Sequence, residues 1–337
     1  MKNSIIPIFI PHLGCPHDCV FCNQKRISGS LLPACPGDVV RAIEAGLEKC
    51  EKAELAFYGG SFTAIPMAEQ CALLDAAQPY LADGRIDSLR LSTRPDAISD
   101  EILFMLWEKG VRTIELGSQS MMDDVLAASW RGHTAEDTVR AAGMIKKAGF
   151  KLILQMMTGL PGSDREKDIQ TALRIAALRP NGVRIYPTVI IRDTALADMW
   201  QAGTYDEHTV EDAAEVCSEI LPIFEAAGID VIRLGLNPTD DLSGGDALGG
   251  AYHPALGEII KSRVFLKKAR EKLGFIQPGS SVLLGVHPSC VSQMVGQKRC
   301  NIELLEKQFG LESIKVWGCD VEKGEIIVDI VANPSIL

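Results

Sequence analysis

No stretch of this 337-residue chain comes near the roughly 20 consecutive apolar residues that a membrane-spanning helix needs. Excess positive charge is also missing: 34 lysines and arginines face 44 aspartates and glutamates, a net charge of -10 with histidine neutral. Such a chain has no whole-molecule electrostatic grip on nucleic acid, so any contact with RNA phosphates must be local. A secretory leader is absent from the reading as well. Lys2, the run Ile5–Ile10 and Leu13-Gly14-Cys15 imitate the outline of a lipoprotein signal, but Pro7 and Pro11 interrupt the would-be signal helix and His12 stands where an apolar residue belongs. A soluble, cytoplasmic protein is the resulting expectation. What is present is enough apolar sequence, 47% of residues, to bury a large core. Ten cysteines are also present. In a reducing compartment they are not a disulfide framework, so some are expected to bind metal.

From the N-terminus to about residue 190, short β-rich runs alternate with helical patterns, the signature of βα units building a parallel sheet. Six strands are expected, at Ile5–Pro11, Ala53–Tyr58, Ser88–Ser92, Val111–Gly117, Lys151–Thr158 and Gly182–Thr188. Between them, Ala141, Ile145 and Ala148 recur within Ala135–Ala148 at the spacing of a helix with one buried face. Arg165–Leu178 carries the same period until Pro180 and Asn181-Gly182 break it. The reading is α/β, a partial (β/α)6 barrel over residues 1–190. Residues 191–275 are expected to form a helical extension, with a long helix at Asp206–Ala227, a short strand at Asp230–Leu236 and a glycine-rich loop at Asn237–Gly250. Residues 276–337 read as a small C-terminal α/β domain, its strands Val282–Val286, Ile314–Val316 and Ile326–Val331 gathered around a helix at Ile302–Phe309.

The chemistry concentrates in Gly14-Cys15-Pro16-His17-Asp18-Cys19-Val20-Phe21-Cys22-Asn23, just after the first strand. Soft sulfur ligands at this spacing select iron–sulfur clusters, zinc or copper(I). The number of ligands is informative, because a closed structural site takes four, whereas a cubane held by three thiolates keeps one iron open. A catalytic zinc on Cys15, Cys19 and Cys22, with water, His17 or His12 as the fourth ligand, is the alternative that ligand type leaves open. Ligands of α/β sheets gather at the carboxyl ends of strands, which makes Tyr58–Thr63, Leu91–Asp96 and Glu115–Ser120 candidates too. Gly59 and Gly60 read either as a plain βα turn or as a close approach of backbone to ligand. Asp96 and Ser99 read as helix caps.

Cys-x3-Cys-x2-Cys with Phe21 before the last cysteine resembles the cluster loop of the radical S-adenosylmethionine (SAM) superfamily. The resemblance implies a [4Fe-4S] cluster on Cys15, Cys19 and Cys22, SAM chelating the remaining iron, and an electron donor such as flavodoxin or ferredoxin. It implies an enzyme that cleaves SAM to a 5′-deoxyadenosyl radical. Tyr58-Gly59-Gly60-Ser61-Phe62-Thr63 resembles the family's glycine motif for the methionine amino group. Similarity to oxygen-independent coproporphyrinogen oxidases implies SAM contacts at Gly60, Ser61, Gln119 and Arg131, and places Ser92 and Gln155 where those proteins carry acidic residues. Ser92–Asp96, Glu115–Ser120, Arg131–Thr134 and Gly159–Gly162 resemble the radical SAM domain of the elongator catalytic subunit, a modifier of transfer RNA wobble uridine. This likeness covers roughly the first 190 residues and implies tRNA modification. Two departures accompany it: the elongator subunit has a wider gap between its first two cluster cysteines, and an acetyltransferase domain whose phosphate loop has no counterpart here.

Other signals have plainer readings. Lys261, Arg263, Lys267, Lys268, Arg270 and Lys272 lie on one expected helix, either as a solvated face or as a tRNA-phosphate patch. His287, Cys290, Cys300 and Cys319 lack the close pairs of a metal site. Cys35, Cys50, Cys71 and Cys217 are expected as small buried residues.

Overall fold

A computed structural model describes residues 4–10, 15, 18–23, 34–236 and 242–331. His12 and His17, considered above as zinc ligands, and the segment 237–241 lie outside the described residues. The chain divides into two compact units, Met1–Thr209 with Ile223–Tyr252, and Val210–Pro222 with His253–Leu337. Residues 191–275 therefore contribute to both units.

The first unit is built on parallel strands β1 (Ser4–Ile10), β2 (Ala53–Gly59), β3 (Ile86–Thr93), β4 (Val111–Gln119), β5 (Lys151–Thr158) and β6 (Gly182–Pro187). These are the six expected strands, each within two residues at either end. After a short β7 (Val189–Ile191), the chain returns in β8 (Asp230–Leu234), which pairs with β6 and completes a seven-stranded sheet in the order β1-β2-β3-β4-β5-β6-β8. The apolar run at the start of the chain is thus a sheet strand, in register with β2 from Ser4↔Ala53 to Ile10↔Gly59.

Period-two alternation sorts the faces of this sheet. Leu55, Phe57, Leu89, Leu91, Ile114, Leu116, Leu152 and Leu154 are all buried. The residues between them, Glu54 and Tyr58, Arg90 and Ser92, Glu115 and Gly117, then Gln155, share the opposite face. A sheet covered on both faces would read as continuous apolar strands. One polar face is therefore the mark of a curved half-barrel with helices outside and an open concave side.

The crossovers are helices α1 (Pro36–Leu47), α2 (Met67–Asp75), α3 (Gln78–Ala82), α4 (Asp100–Glu108), α5 (Asp123–Ala128), α6 (Ala135–Lys147) and α7 (Arg165–Ala177). Local chemistry sets their starts. Thr134 and Asp137 form a reciprocal capping box at α6, and Lys146 and Lys147 complement the dipole of its last turn. Ser99 caps α4 as expected, its hydroxyl accepting from Ile102 N. Asp96 is no cap, because its carboxylate is taken by Arg94.

Beyond β7 come α8 (Ala195–Gln201), α9 (Val210–Ala226) and β9 (Ala247–Gly250). Part of the expected glycine-rich loop is therefore a strand, paired antiparallel with β7. In the second unit, α10 (Leu256–Leu273), α11 (Val291–Val295) and α12 (Cys300–Phe309) pack with β10 (Ser281–Val286), β11 (Ser313–Gly318) and β12 (Ile326–Val331). Ala269, Leu273, Val282, Leu284, Ile302, Leu305 and Ile314 form its core. None of the ten cysteines, all of them described, is in a disulfide. Of the four expected to be buried only Cys217 is; Cys35 is exposed and Cys50 and Cys71 are half-buried, because Cys35 stands at the start of α1 and Cys50 in the turn after it. No helix among the described residues is long and apolar enough to cross a membrane.

Candidate active site

The cysteine loop is held by the residue it carries between thiols. Val20 is fully buried against Ile190, Leu196, Ala197 and Tyr205, with Phe21 packed beside them. Its backbone is pinned on both sides: Val20 N donates to Ser129 O at 3.2 Å, and Leu196 N donates to Val20 O at 2.8 Å. Cys22 N donates to Cys19 O at 3.0 Å, closing a turn that sets those two side chains on one side of the loop. Asn23 Nδ2, donating to Arg192 O at 2.9 Å, ties the exit.

These residues open onto a cleft at the carboxyl ends of the strands, where ligands of α/β sheets gather. Every residue singled out above for cluster or SAM binding lines it: Cys15, Cys19 and Cys22, Phe21, Gly59, Gly60, Ser61, Ser92, Gln119, Arg131 and Gln155. Asp18, Thr93 and Gly117 line it too; they fall in the cysteine loop and in the candidate stretches Leu91–Asp96 and Glu115–Ser120, with no individual contact assigned to them from sequence. Gly117 lies two residues before Gln119 on β4, so strand alternation was the signal for it.

The walls combine strain with unused hydrogen-bonding capacity. Gly59 has φ 105°, and a Cβ there would lie 3.0 Å from Ile10 O, while Gly60 N donates to the same carbonyl at 2.7 Å. Glycine at 59 is thus demanded by the crossing of β1 and β2 as well as by any ligand. Gln119 holds φ 62°, a left-handed conformation that a non-glycine residue keeps only when its surroundings enforce it. Its buried Oε1 and the buried Nε of Arg131 find no hydrogen-bond partner among the described residues. Ser61 Oγ lies 3.4 Å from Cys15 Sγ, and Arg131 Nη1 donates to Cys19 Sγ at 3.3 Å. No three Cys, His, Asp or Glu side chains among the described residues converge on a point where one ion could be held. A cubane takes each thiolate on a different iron, whereas a single zinc draws its sulfurs to about 2.3 Å.

Arg94, only 1% exposed, braces this wall. Its guanidinium pairs with Asp96 at 2.8 Å and donates to Arg131 O at 2.8 Å. Nearby His133 Nε2 meets Ser118 O at 3.3 Å, and burial together with the charges of Arg131 and Arg94 holds the imidazole down to about 4, so it is neutral at physiological pH.

Beneath the cleft the concave face is ionic. Glu115, 0% exposed, accepts from Arg184 Nε at 2.8 Å and Nη2 at 3.1 Å, from Arg90 at 3.2 Å, from Tyr58 Oη at 3.1 Å and from Gln155 Nε2 at 3.2 Å. Arg90 also pairs with Glu54 at 2.8 Å. Burial and the Glu115 charge push the Tyr58 phenol up to about 12. Since Glu115 engages the Gln155 amide nitrogen, the carbonyl oxygen of Gln155 is the atom left for the cleft.

Two other candidate sites fare differently. The basic helix α10 is largely committed within its own unit: Arg263 pairs with Glu211 and Glu215, Lys267 with Glu215 at 2.7 Å and Glu219 at 2.9 Å, and Lys261 with Glu258. Lys268 donates to Gly324 O and Arg270 to Gln308. Of the two readings of this helix, the pairs favour the plain solvated face: Arg263 and Lys267 meet carboxylates of α9, and Lys261 one of α10 itself. His287, Cys290, Cys300 and Cys319 form no metal group among the described residues.

Comparison with known proteins agrees with this site. The model of the radical SAM superfamily matches residues 9–175, and that of the radical SAM C-terminal domain matches residues 180–265. The tRNA uridine(34) acetyltransferase of Methanocaldococcus jannaschii is 29% identical over 258 residues, covering 64% of this chain and 48% of that protein. Elongator complex protein 3 of Mus musculus is 29% identical over 193 residues, covering 51% of this chain and 35% of that protein. The chain thus spans about half the length of these curated relatives or less. Among solved structures, the Elp3 of Methanocaldococcus infernus lacking its N-terminus superposes with a TM-score of 0.61 at 26% identity, over 80% of this chain and 63% of that one. Coproporphyrinogen III oxidase (HemN) from Escherichia coli shares the fold, with a TM-score of 0.52 at 14% identity over 81% of this chain and 76% of its own. With a cysteine loop, a glycine-lined cleft and a parallel half-barrel in one unit, and both family models matched in succession, the chain belongs to the radical SAM superfamily of enzymes.

Proposed function

We propose that the cleft binds a [4Fe-4S] cluster on Cys15, Cys19 and Cys22 together with SAM, and that the protein is a radical SAM enzyme acting on transfer RNA. The observation that carries the first part is the convergence of three thiols, Gly59, Gln119 and Arg131 on one cleft. When bound, cluster and SAM supply a 5′-deoxyadenosyl radical by reductive cleavage. The protein's own contribution is to hold and shield. The Val20 anchor keeps the cysteine loop rigid, the unpartnered Gln119 Oε1 and Arg131 Nε offer an acceptor and a charged donor to the methionine end, and Gly59, Gly60 and Ser61 let the ligand approach backbone. Ser92 and the Gln155 carbonyl remain for the ribose, as neutral partners where the coproporphyrinogen oxidases use carboxylates.

The tRNA substrate rests on the names of the archaeal and elongator relatives. It does not rest on α10, where Arg263 and Lys267 are already paired with carboxylates of α9. The electron is assigned to a flavodoxin- or ferredoxin-type donor, and ten cysteines outside any disulfide suit a cytoplasmic location. The test is anaerobic reconstitution with iron and sulfide, reduction with SAM, and assay of 5′-deoxyadenosine in wild type and Cys22→Ala. Product from wild type alone is expected, with a yield that rises when tRNA is added. Equal product from Cys22→Ala would sink the cluster assignment, and a colourless protein that takes up zinc instead would make this a metal scaffold. A yield indifferent to tRNA would move the substrate to a small molecule or protein.

A further inference from the structure

We infer that Arg131 sets the reduction potential of the cluster, acting as a positioning and tuning residue on the sulfur of Cys19; this rests on the reading that Cys15, Cys19 and Cys22 carry a [4Fe-4S] cluster. The geometry is specific. Arg131 is buried, and one arm of its guanidinium, Nη1, donates to Cys19 Sγ at 3.3 Å while the other, Nη2, donates to Gly117 O at 2.7 Å. The backbone is held as well: Arg131 N donates to Leu126 O at 2.9 Å, and Arg94 donates to Arg131 O. Trp130, immediately before it, is forced to φ 54°, a conformation that aims Arg131 inward and is uncommon for a bulky residue. Room for the fork exists only because residue 117 has no side chain: a Cβ on Gly117 would lie 2.7 Å from Arg131 Nη2.

Reduction adds one electron to the cluster and no proton, so the thiolate sulfurs become more negative. A hydrogen-bond donor on sulfur stabilises that state, and a fixed positive charge in a poorly solvated wall stabilises it further. Arginine stays protonated throughout, so this bias does not change with pH. Cys15 meets the neutral hydroxyl of Ser61 at 3.4 Å, whereas Cys19 meets a charged donor.

The experiment is a redox titration of the reconstituted full chain without SAM, following the reduced cluster by electron paramagnetic resonance, on wild type, Arg131→Lys, Arg131→Met and Gly117→Ala. Iron and sulfide content is measured on each. At one fixed ambient potential, Arg131→Met is expected to show an about tenfold lower ratio of reduced to oxidised cluster, which for one electron is 59 mV to the negative side. Arg131→Lys keeps the charge and loses the fork, and falls between. Gly117→Ala pushes the guanidinium away and shifts in the same direction. Loaded variants with the wild-type midpoint overturn the inference while leaving the cluster assignment standing. Variants that take up no cluster at all, beside a loaded wild type, overturn it in favour of a purely structural role. A wild type that forms no cluster removes the underlying reading instead.

Discussion

Glu115 is the residue on which the concave face turns, and replacing it by glutamine tests whether that face is held by charge. The side chain is fully buried and accepts five hydrogen bonds, two of them from Arg184. Glu115→Gln keeps the shape, removes the charge, and turns one acceptor into a donor facing donors. Breaking a buried pair from one side typically costs about 3–5 kcal/mol. Here Arg90 retains Glu54 at 2.8 Å and the Arg184 side chain is 14% exposed, which permits some rehydration. The expected loss is therefore about 2–3 kcal/mol, at or just below the low end of that range. Urea unfolding followed by far-UV circular dichroism measures it, with Arg184→Met and the double variant Glu115→Gln/Arg184→Met completing a cycle. The double variant should regain much of what either single change loses, because no uncompensated charge stays behind. Glu115→Gln should also lower the Tyr58 phenol from about 12, since the carboxylate is one of the groups raising it. A Glu115→Gln protein as stable as wild type, with an unmoved phenol, would refute the reasoning.

Two further predictions concern the segment after β5. Asp168 accepts from Ser163 Oγ at 2.6 Å and Gly159 N at 2.9 Å, yet burial pushes its carboxyl up to about 7 from the ordinary 3.8. A raised native value means the folded state binds the proton more tightly, so this group's stabilisation is complete below about pH 4 and disappears as pH rises to about 7. Asp168→Asn should flatten that slope in melting temperatures taken from pH 5 to 8, and an unchanged slope would exonerate Asp168. Gly159 has φ 71°, and a Cβ would fall 2.1 Å from the His208 ring, which is hydrogen-bonded to Thr158 Oγ1 at 3.1 Å. Gly159→Ala should cost more than the about 1–2 kcal/mol of left-handed backbone strain alone. Gly162→Ala, at φ 77° with only an ordinary 3.4 Å contact to Ala128, isolates that strain. Equal losses in denaturant midpoints would mean His208 simply moves aside.

The strands of the first unit were readable because each couples apolar runs to turn residues, and the cysteine loop because its chemistry is local in sequence. Pairing across distance was not readable. The short β8 carries only half-buried and exposed residues, so nothing in its composition announces that it completes the sheet beside β6. The ionic face draws Glu54, Arg90, Glu115 and Arg184 one by one from different strands, and no contiguous motif records it. The six cations of α10 were visible, but Glu211, Glu215 and Glu219 lie some fifty residues away on α9, and only the fold shows them pairing with Arg263 and Lys267. Asp96 looked like a cap from its place at a strand end, and only the fold shows Arg94, among the largest fully buried side chains, taking its carboxylate.

The boundary between the two units is crossed by the backbone after Thr209, after Pro222 and after Tyr252. A single cut therefore never separates them cleanly. A chain stopped before Val210 would keep every cysteine of the loop but lose β8 and β9, exposing the hydrogen-bonding edge of β6 and leaving β7 without its partner. Open edges of that kind invite pairing with other chains. For engineering, the half-barrel and the second unit are therefore one interleaved piece: a foreign module joined at Val210 would have to supply its own partners for β6 and β7.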